Sequence, residues 1–218
     1  PVQLYDQVRD GVVDIVWTLP GNNAGRFPRI EVFELPFMMT NAEATSKALW
    51  EYAQAHAIDE FAGTQLLALH VHGAGVLHAA NVPVQSAAAL RGIKVRAPTR
   101  LMVKTLGALG AVPVGMPLPQ LPDAFAKGAI DACAIPWEVV PSVRMHELAK
   151  FHAEFDPSAG LYTTVYSLVM NKARYDSLAP DLKRVIDENA GSAGSGWLGR
   201  VFEGHDASAR KLAVDRAN

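Results

Sequence analysis

Cysteine is nearly absent from this chain: Cys133 stands alone among 218 residues. It can form no internal disulfide, and no paired-cysteine metal motif can be built around it. Basic runs are missing too, and the formal net charge is −2. Nucleic acid and anionic membrane, which call for a basic footprint, are therefore excluded as expected partners. No apolar run reaches the ~18 residues that suggest a membrane span. The patterns G-x-x-x-x-G-K-[ST], H-E-x-x-H and G-x-S-x-G do not occur; no cofactor is expected and no catalytic residue is assigned. A secretory leader is also lacking. That absence excludes nothing, because Pro1 begins inside an amphipathic pattern (Leu4, Val8, Val12) and the last helical pattern runs out at Asn218 without a stop signal. A fragment with both ends missing is expected.

What is there is ordinary globular material. Half of the residues are hydrophobic and 19% are charged, and the length suits one large or two small domains. Helical patterns are expected at Leu4–Gly11, Asn41–Phe61, around Leu101–Ala108, Leu121–Lys127, Leu178–Ala190 and Trp197–Ala213. Apolar strand-like runs lie between them at Val12–Thr18, Thr64–Gly73, Gly92–Pro98, Val112–Met116, Ala129–Ile135 and Leu161–Asn171. Gly73–Ala79 reads as a loop, Phe33–Phe37 as a turn after a short strand, and Phe151–Phe155 as an extended piece. Alternation of this kind predicts an α/β fold with largely parallel sheets.

One internal similarity organises the chain. Arg9–Gly21 (RDGVVDIVWTLPG) resembles Ala126–Glu138 (AKGAIDACAIPWE), each a helix ending at glycine, then G-x-x-D and an apolar strand. The copies lie about half a chain apart, too far for a solenoid period. They predict one such unit in each of two lobes, with Thr64–Gly73 and Leu161–Asn171 as the crossing strands. A cleft between lobes is a common small-molecule site.

Arg96 is the leading candidate for contact with a ligand. It ends the short strand Gly92–Pro98 and faces a helix start, and Pro98 stops the ladder. Ligands in open α/β sheets bind beyond the carboxyl ends of strands, and a guanidinium is shaped to grip a carboxylate with two bonds. A surface ion pair is the plainer alternative. If Arg96 waits for ligand, it should have no full-time internal partner. The other chemistry-bearing residues have plain readings beside the functional ones. His70, His72 and His78 alternate along and beyond a strand, but no third ligand completes a metal site, so no metal is expected. His146 and His152 read as surface residues. Asp14 and Asp131 are expected to bond backbone amides at helix-to-strand turns rather than to form a catalytic pair. Trp17, Phe33, Phe37 and Trp137 lie at strand ends, where aromatics either join a core or line a cleft.

Taken together, Gly92–Arg100 (GIKVRAPTR), Leu106–Glu138, Met170–Gly191 and Gly25–Phe37 (GRFPRIEVFELPF) resemble the substrate-binding proteins of TRAP (tripartite ATP-independent periplasmic) transporters, in family order and over nearly the whole chain. The resemblance implies a two-lobed, periplasmic-binding-protein-like fold, each lobe a sheet flanked by helices. Residues 1–72 would form lobe I, 73–163 lobe II with the carboxylate-binding arginine, and 164–218 a return to lobe I with hinge-spanning helices. An N-terminal strand and C-terminal helices would be missing. It further implies a periplasmic, monomeric receptor that closes on an organic acid and hands it to a sodium-coupled membrane permease.

By the same resemblance, Arg96 matches the arginine that binds the substrate carboxylate, and Leu118 matches an often aromatic position against the ligand. Ile135 matches an often-asparagine position in an E-N-P-like triplet, which here reads Ala134–Ile135–Pro136. A second ligand arginine found near Gly73–Ala79 in many members is not present in this chain. One arginine neutralises one carboxylate, and a second carboxylate left buried would cost several kcal/mol. A wall of Leu118, Ile135, Trp137 and Phe37 instead rewards apolar ligand surface. The expected ligand is a monocarboxylate with an aromatic or branched body, with Trp17 also near it. His72, His78, Tyr162 or Tyr166 would read a hydroxyl or keto oxygen. Two alternatives remain: a ligand-sensing domain of a signalling receptor, and an enzyme of the same two-lobed class using Asp131, Cys133 or a histidine.

Overall fold

Asn41 starts the longest helix by accepting the Ala44 amide on its side-chain oxygen at 2.8 Å, the usual way of satisfying an orphan donor. The computed structural model describes residues 3–155 and 160–215, so Pro1 and Asn218, the expected chain limits, lie outside the described residues. In chain order the first elements are α1 (Leu4–Arg9), β1 (Ile15–Thr18), α2 (Ala42–His56), β2 (Thr64–Val71) and β3 (Val76–Ala79). Next come β4 (Lys94–Ala97), α3 (Arg100–Ala108), β5 (Val112–Gly115), α4 (Leu121–Ala126) and β6 (Ala132–Ile135). Then follow α5 (Met145–Leu148), β7 (Phe151–Ala153), β8 (Val165–Asn171) and α6 (Lys172–Asp176). The last are α7 (Pro180–Asn189), α8 (Gly191–Gly204) and α9 (Asp206–Val214).

The chain divides into two compact units. Unit 1 comprises Pro1–Phe33, Asn41–Val71 and Thr164–Val201; unit 2 comprises Glu34–Thr40, His72–Thr163 and Phe202–Asn218. The chain thus changes units just after β2 and just before β8. Residues 34–40 and 202–218 fall in unit 2, whereas the sequence reading placed the former in lobe I and the latter on its return.

Unit 1 carries a sheet of order β1-β8-β2, with both pairings antiparallel. Its core gathers Tyr5, Phe27, Ile30, Leu49, Phe61, Leu69 and Val169. The buried stripe of α2 is Ala42, Thr45, Ser46, Leu49 and Ala53. Ala44 and Ala48 are exposed. The stripe is turned because Ser46 is used: its hydroxyl accepts the Val71 amide at 3.0 Å, and Ser195 of α8 accepts the Leu69 amide at 3.0 Å. Two amides of the edge strand β2 thus end on hydroxyls, which blunts an edge that would otherwise recruit another strand.

Unit 2 carries a sheet of order β5-β4-β6-β3-β7. β4 pairs in parallel with β5 and β6, and β3 pairs antiparallel with β6 and β7. The two sheets flanked by helices are the α/β fold expected, and each copy of the repeated G-x-x-D segment feeds a different sheet. The expectation of largely parallel pairing is corrected. Parallel neighbours need a crossover of a dozen or more residues, usually a helix, and here α3 and α4 supply the crossovers that surround β4, β5 and β6 alone.

Other expectations also shift. Residues 76–79, read as loop, are the strand β3. Ile30–Glu34 is a 3-10 helix rather than a strand and turn. The terminal helix is broken between Gly204 and Asp206. Gly75 explains the tight entry to β3: a Cβ there would lie 2.1 Å from the ring of Tyr162, so only glycine admits that approach.

Candidate functional site

Register puts the polar candidates of unit 2 in one row. Arg96 on β4 pairs with Cys133 on β6, Cys133 pairs with His78 on β3, and His78 pairs with His152 on β7. Paired residues share a sheet face, so Arg96, Cys133, His78 and His152 cross four strands side by side. The same face carries Val76, Ile135 and Val114, which pack with Leu121, Phe125, Trp137 and the partly buried Met116 and Leu118.

Arg96 is only 4% exposed. Its Nε donates to the Met116 carbonyl at 3.1 Å and its Nη1 to the Ala134 carbonyl at 3.0 Å. It is neither a surface arginine nor one without internal partners, as the waiting-clamp reading expected. The two carbonyls fix the plane of the guanidinium and leave its charge in place, since a carbonyl oxygen orients a cation without cancelling it.

His78 is fully buried, and both ring nitrogens are engaged. Nε2 meets the Ile135 carbonyl at 3.2 Å. A carbonyl only accepts, so Nε2 carries the proton. Nδ1 is then the acceptor, and it meets Nδ1 of His152 at 2.7 Å, which must be the donor. Burial pushes His78 down to about 3, with the neighbouring His152 adding to the effect; burial lowers His152 as well. His78 therefore has no nitrogen left to read a ligand oxygen, which corrects that expectation. His152 and His146, taken as surface residues, are half-buried and buried.

Trp137 is 5% exposed. Its ring meets His78 edge-on, centroids 5.0 Å apart, and lies 5.1 Å from that of His152. Its Nε1 donates to Glu154 at 2.8 Å, and Glu154 is gripped by Arg210 of α9 through two bonds of 2.7 and 3.0 Å. Those arginine bonds, chiefly, hold the Glu154 carboxyl below its ordinary range. Cys133, buried beside this row, is pushed up to about 12 by burial and is no nucleophile.

Tyr162 is buried and forms an edge-on contact with His72, centroids 5.6 Å apart. Nδ1 of His72 lies 2.6 Å from the Gly73 carbonyl. Phe37, also in unit 2, is 60% exposed with a left-handed backbone (φ 64°). Trp17 belongs to unit 1. There it stacks on Tyr166 at 4.6 Å and donates Nε1 to Nε2 of His70 at 2.8 Å; His70 is held at about 4 by burial. The structure thus gathers Arg96, Leu118, Ile135, Trp137 and His78 around the end of β6, pairs His72 with Tyr162, and leaves Phe37 on an exposed turn. Asp131 accepts the Lys94 amide at 2.9 Å, the structural role expected of it. No group of three or more metal-ligating side chains occurs among the described residues.

Glu138, just past this wall, was not singled out from sequence. Its amide donates to Asp206 at 3.0 Å, while its two carboxyl oxygens are buried with no protein donor facing them. Burial, then the neighbouring Asp206, raises the Glu138 carboxyl well above its ordinary range. Burial raises Asp206 as well, with Glu203 and Glu154 adding to it.

The strand ends of this sheet thus present a buried cation beside an apolar wall. Over residues 1–215 the chain matches the bacterial extracellular solute-binding proteins, family 7 (DctP), and it belongs to that family. Among solved structures it is similar to a TRAP solute-binding protein from Rhodoferax ferrireducens T118 in complex with copurified benzoate. The two are 62% identical with a TM-score of 0.98, covering 100% of this chain and 68% of that one. A marine-metagenome TRAP solute-binding protein specific for aromatic acid ligands, in complex with 3-hydroxybenzoate, is 50% identical with a TM-score of 0.96, covering 99% and 67%. One from Bordetella bronchiseptica with bound (R)- and (S)-mandelate is 28% identical with a TM-score of 0.91, covering 97% and 67%. The chain spans less than two thirds of the curated relatives it matches: 58% of a Haemophilus influenzae protein and 57% of the 2,3-diketo-L-gulonate-binding periplasmic protein of Escherichia coli.

Proposed function

We propose that this chain is the greater part of an extracytoplasmic receptor that captures a monocarboxylate with an aromatic body. Arg96 grips the carboxylate, and Leu118, Ile135 and Trp137 face the ring. The observation that carries the reading is Arg96 itself: buried, oriented by two carbonyls, and set beside an apolar wall. The similar proteins with benzoate, 3-hydroxybenzoate and mandelate support the same ligand class. A ring of roughly 150 Å² gains at most about 4 kcal/mol when buried against such a wall, whereas a second carboxylate has no such reward. Delivery to a sodium-coupled TRAP permease, a periplasmic location and a monomeric state belong to this proposal. No helix among the described residues is long and apolar enough to cross a membrane.

The enzyme alternative loses its nucleophile, because the thiol of Cys133 stays protonated at neutral pH, and the relatives are solute-binding proteins. A thermal-shift panel tests the proposal, because a ligand that binds only the folded state raises its melting point. Benzoate, 3-hydroxybenzoate and mandelate should each raise the melting temperature more than succinate or malate. A larger shift with either dicarboxylate overturns the reading of Leu118 and Ile135.

A further inference from the structure

The last two carbonyls of β6 are each taken by a side chain from a flanking strand. Ala134 is held from β4 by Arg96, and Ile135 from β3 by His78. Pro136 follows, donates nothing, and begins the turn that carries Trp137. Ile135 is also the last residue of β6 in the ladder, where it pairs with Val76, so the side-chain clamps act where ladder pairing stops. The His78 clamp has its own support. One ring flip of His78 would aim Nε2–H away from the Ile135 carbonyl and break that contact. His152 prevents it by donating Nδ1–H to Nδ1 of His78 at 2.7 Å, which permits one tautomer only. Both rings also contact the indole of Trp137.

We propose that His78 and His152 form a positioning pair that fixes Ile135 and Trp137, and so set the preference of the site for ring-bearing carboxylates. This rests on the aromatic-acid reading of the same site. Neither histidine touches the ligand. Their effect falls on the wall that faces the ring, while the carboxylate grip of Arg96 has its own anchors.

The test uses three variants. His152→Asn keeps an N–H at the position of Nδ1; His152→Leu removes it; His78→Phe removes the clamp while keeping an aromatic ring. Benzoate and acetate affinities are measured by calorimetry at temperatures where each variant is folded, and histidine tautomers by nitrogen NMR. His152→Leu and His78→Phe should each weaken benzoate about tenfold, the scale of one buried hydrogen bond, and leave acetate within threefold. His152→Asn should restore benzoate to within threefold of the parent. The parent should show the Nε2–H tautomer at His78, and His152→Leu should lose it. A merely structural pair lowers melting temperature without changing the benzoate-to-acetate ratio, and that outcome overturns the proposal, as does an Nδ1–H tautomer at His78 in the parent. A parent that binds no benzoate takes down the ligand reading and this proposal together. A parent and a His152→Leu variant that bind it equally well take down the positioning role alone.

Discussion

Replacing Arg96 with alanine removes three things at once: the proposed ligand contact, a donor to Met116 and a donor to Ala134. The first is read in affinity, and the other two in stability. Truncating one partner of a buried, hydrogen-bonded charge pair costs ~2–5 kcal/mol; at ~1.4 kcal/mol per tenfold, benzoate affinity should fall at least about thirtyfold. Each carbonyl deprived of its donor costs ~1–3 kcal/mol, and the second lone pair of a carbonyl keeps the figure toward the low end. The variant should therefore lose ~2–4 kcal/mol of stability, roughly 4–16 °C of melting temperature for a chain of this size. Arg96→Lys separates the two effects. An ammonium keeps the charge and can reach one carbonyl, but it has no planar fork, so affinity should fall almost as far as in alanine while stability falls by about half as much. Calorimetric titration with benzoate, below the melting temperature of each variant, and a scanning melt supply both numbers. Benzoate affinity within threefold of the parent in folded Arg96→Ala would falsify the clamp, and a lowered melt beside it would mark Arg96 as a purely structural arginine.

Two further predictions bear on unit 2 itself. Burial and the neighbouring Asp206 raise the folded Glu138 carboxyl above its ordinary value of 4.5, so the folded state holds its proton longer and stability declines by ~1.4 kcal/mol per pH unit above 4.5, up to the raised folded value. Glu138→Gln, which cannot titrate, should gain stability over the parent steadily from pH 5 to pH 8; a difference that stays flat over that range refutes the raised Glu138 carboxyl. Gly75→Ala should cost several kcal/mol, because its Cβ would lie 2.1 Å from the Tyr162 ring and the ring must move; a urea midpoint within error of the parent would show that the ring gives way freely.

Elements with strong local signals were legible in the sequence. Asn41 announced α2, Gly110 and Gly128 marked the ends of α3 and α4 with positive φ, and the repeated G-x-x-D segment correctly separated two sheets. β3 was not legible. Its four residues are all buried, so no polar alternation marks it, and the flanking Gly73 and Gly75 read as loop. Its strand character comes from β6 and β7, which pair His78 with the distant Cys133 and His152. The histidines were misread for the same reason. A histidine's burial depends on which strands flank it, and Lys150–Glu154 (KFHAE) looks like any exposed edge. The one usable sign was the spacing of His152 and Glu154, which puts two polar groups on one face of β7's path. Arg210 and Asp206 gave no sign at all, because α9 meets the Glu154 carboxyl and the Glu138 amide only through tertiary packing.

The departures at the Ala134–Ile135–Pro136 triplet gain a physical sense from these contacts. An isoleucine side chain removes the amide that the family resemblance associates with a polar ligand end. It does not remove the main-chain carbonyl of Ile135, a polar acceptor at the end of β6. His78 takes that carbonyl, His152 fixes the tautomer that allows it, and Glu154 takes the indole N–H of Trp137. Each polar atom that the wall retains is thus turned onto a protein partner, and apolar surface is left to meet the ligand. Burying a ring against satisfied groups costs no unmade hydrogen bond, whereas a polar ligand body would surrender its bonds to water and find none in return. The proposed selectivity for an aromatic acid would then follow as much from what these partners silence as from the apolar side chains themselves.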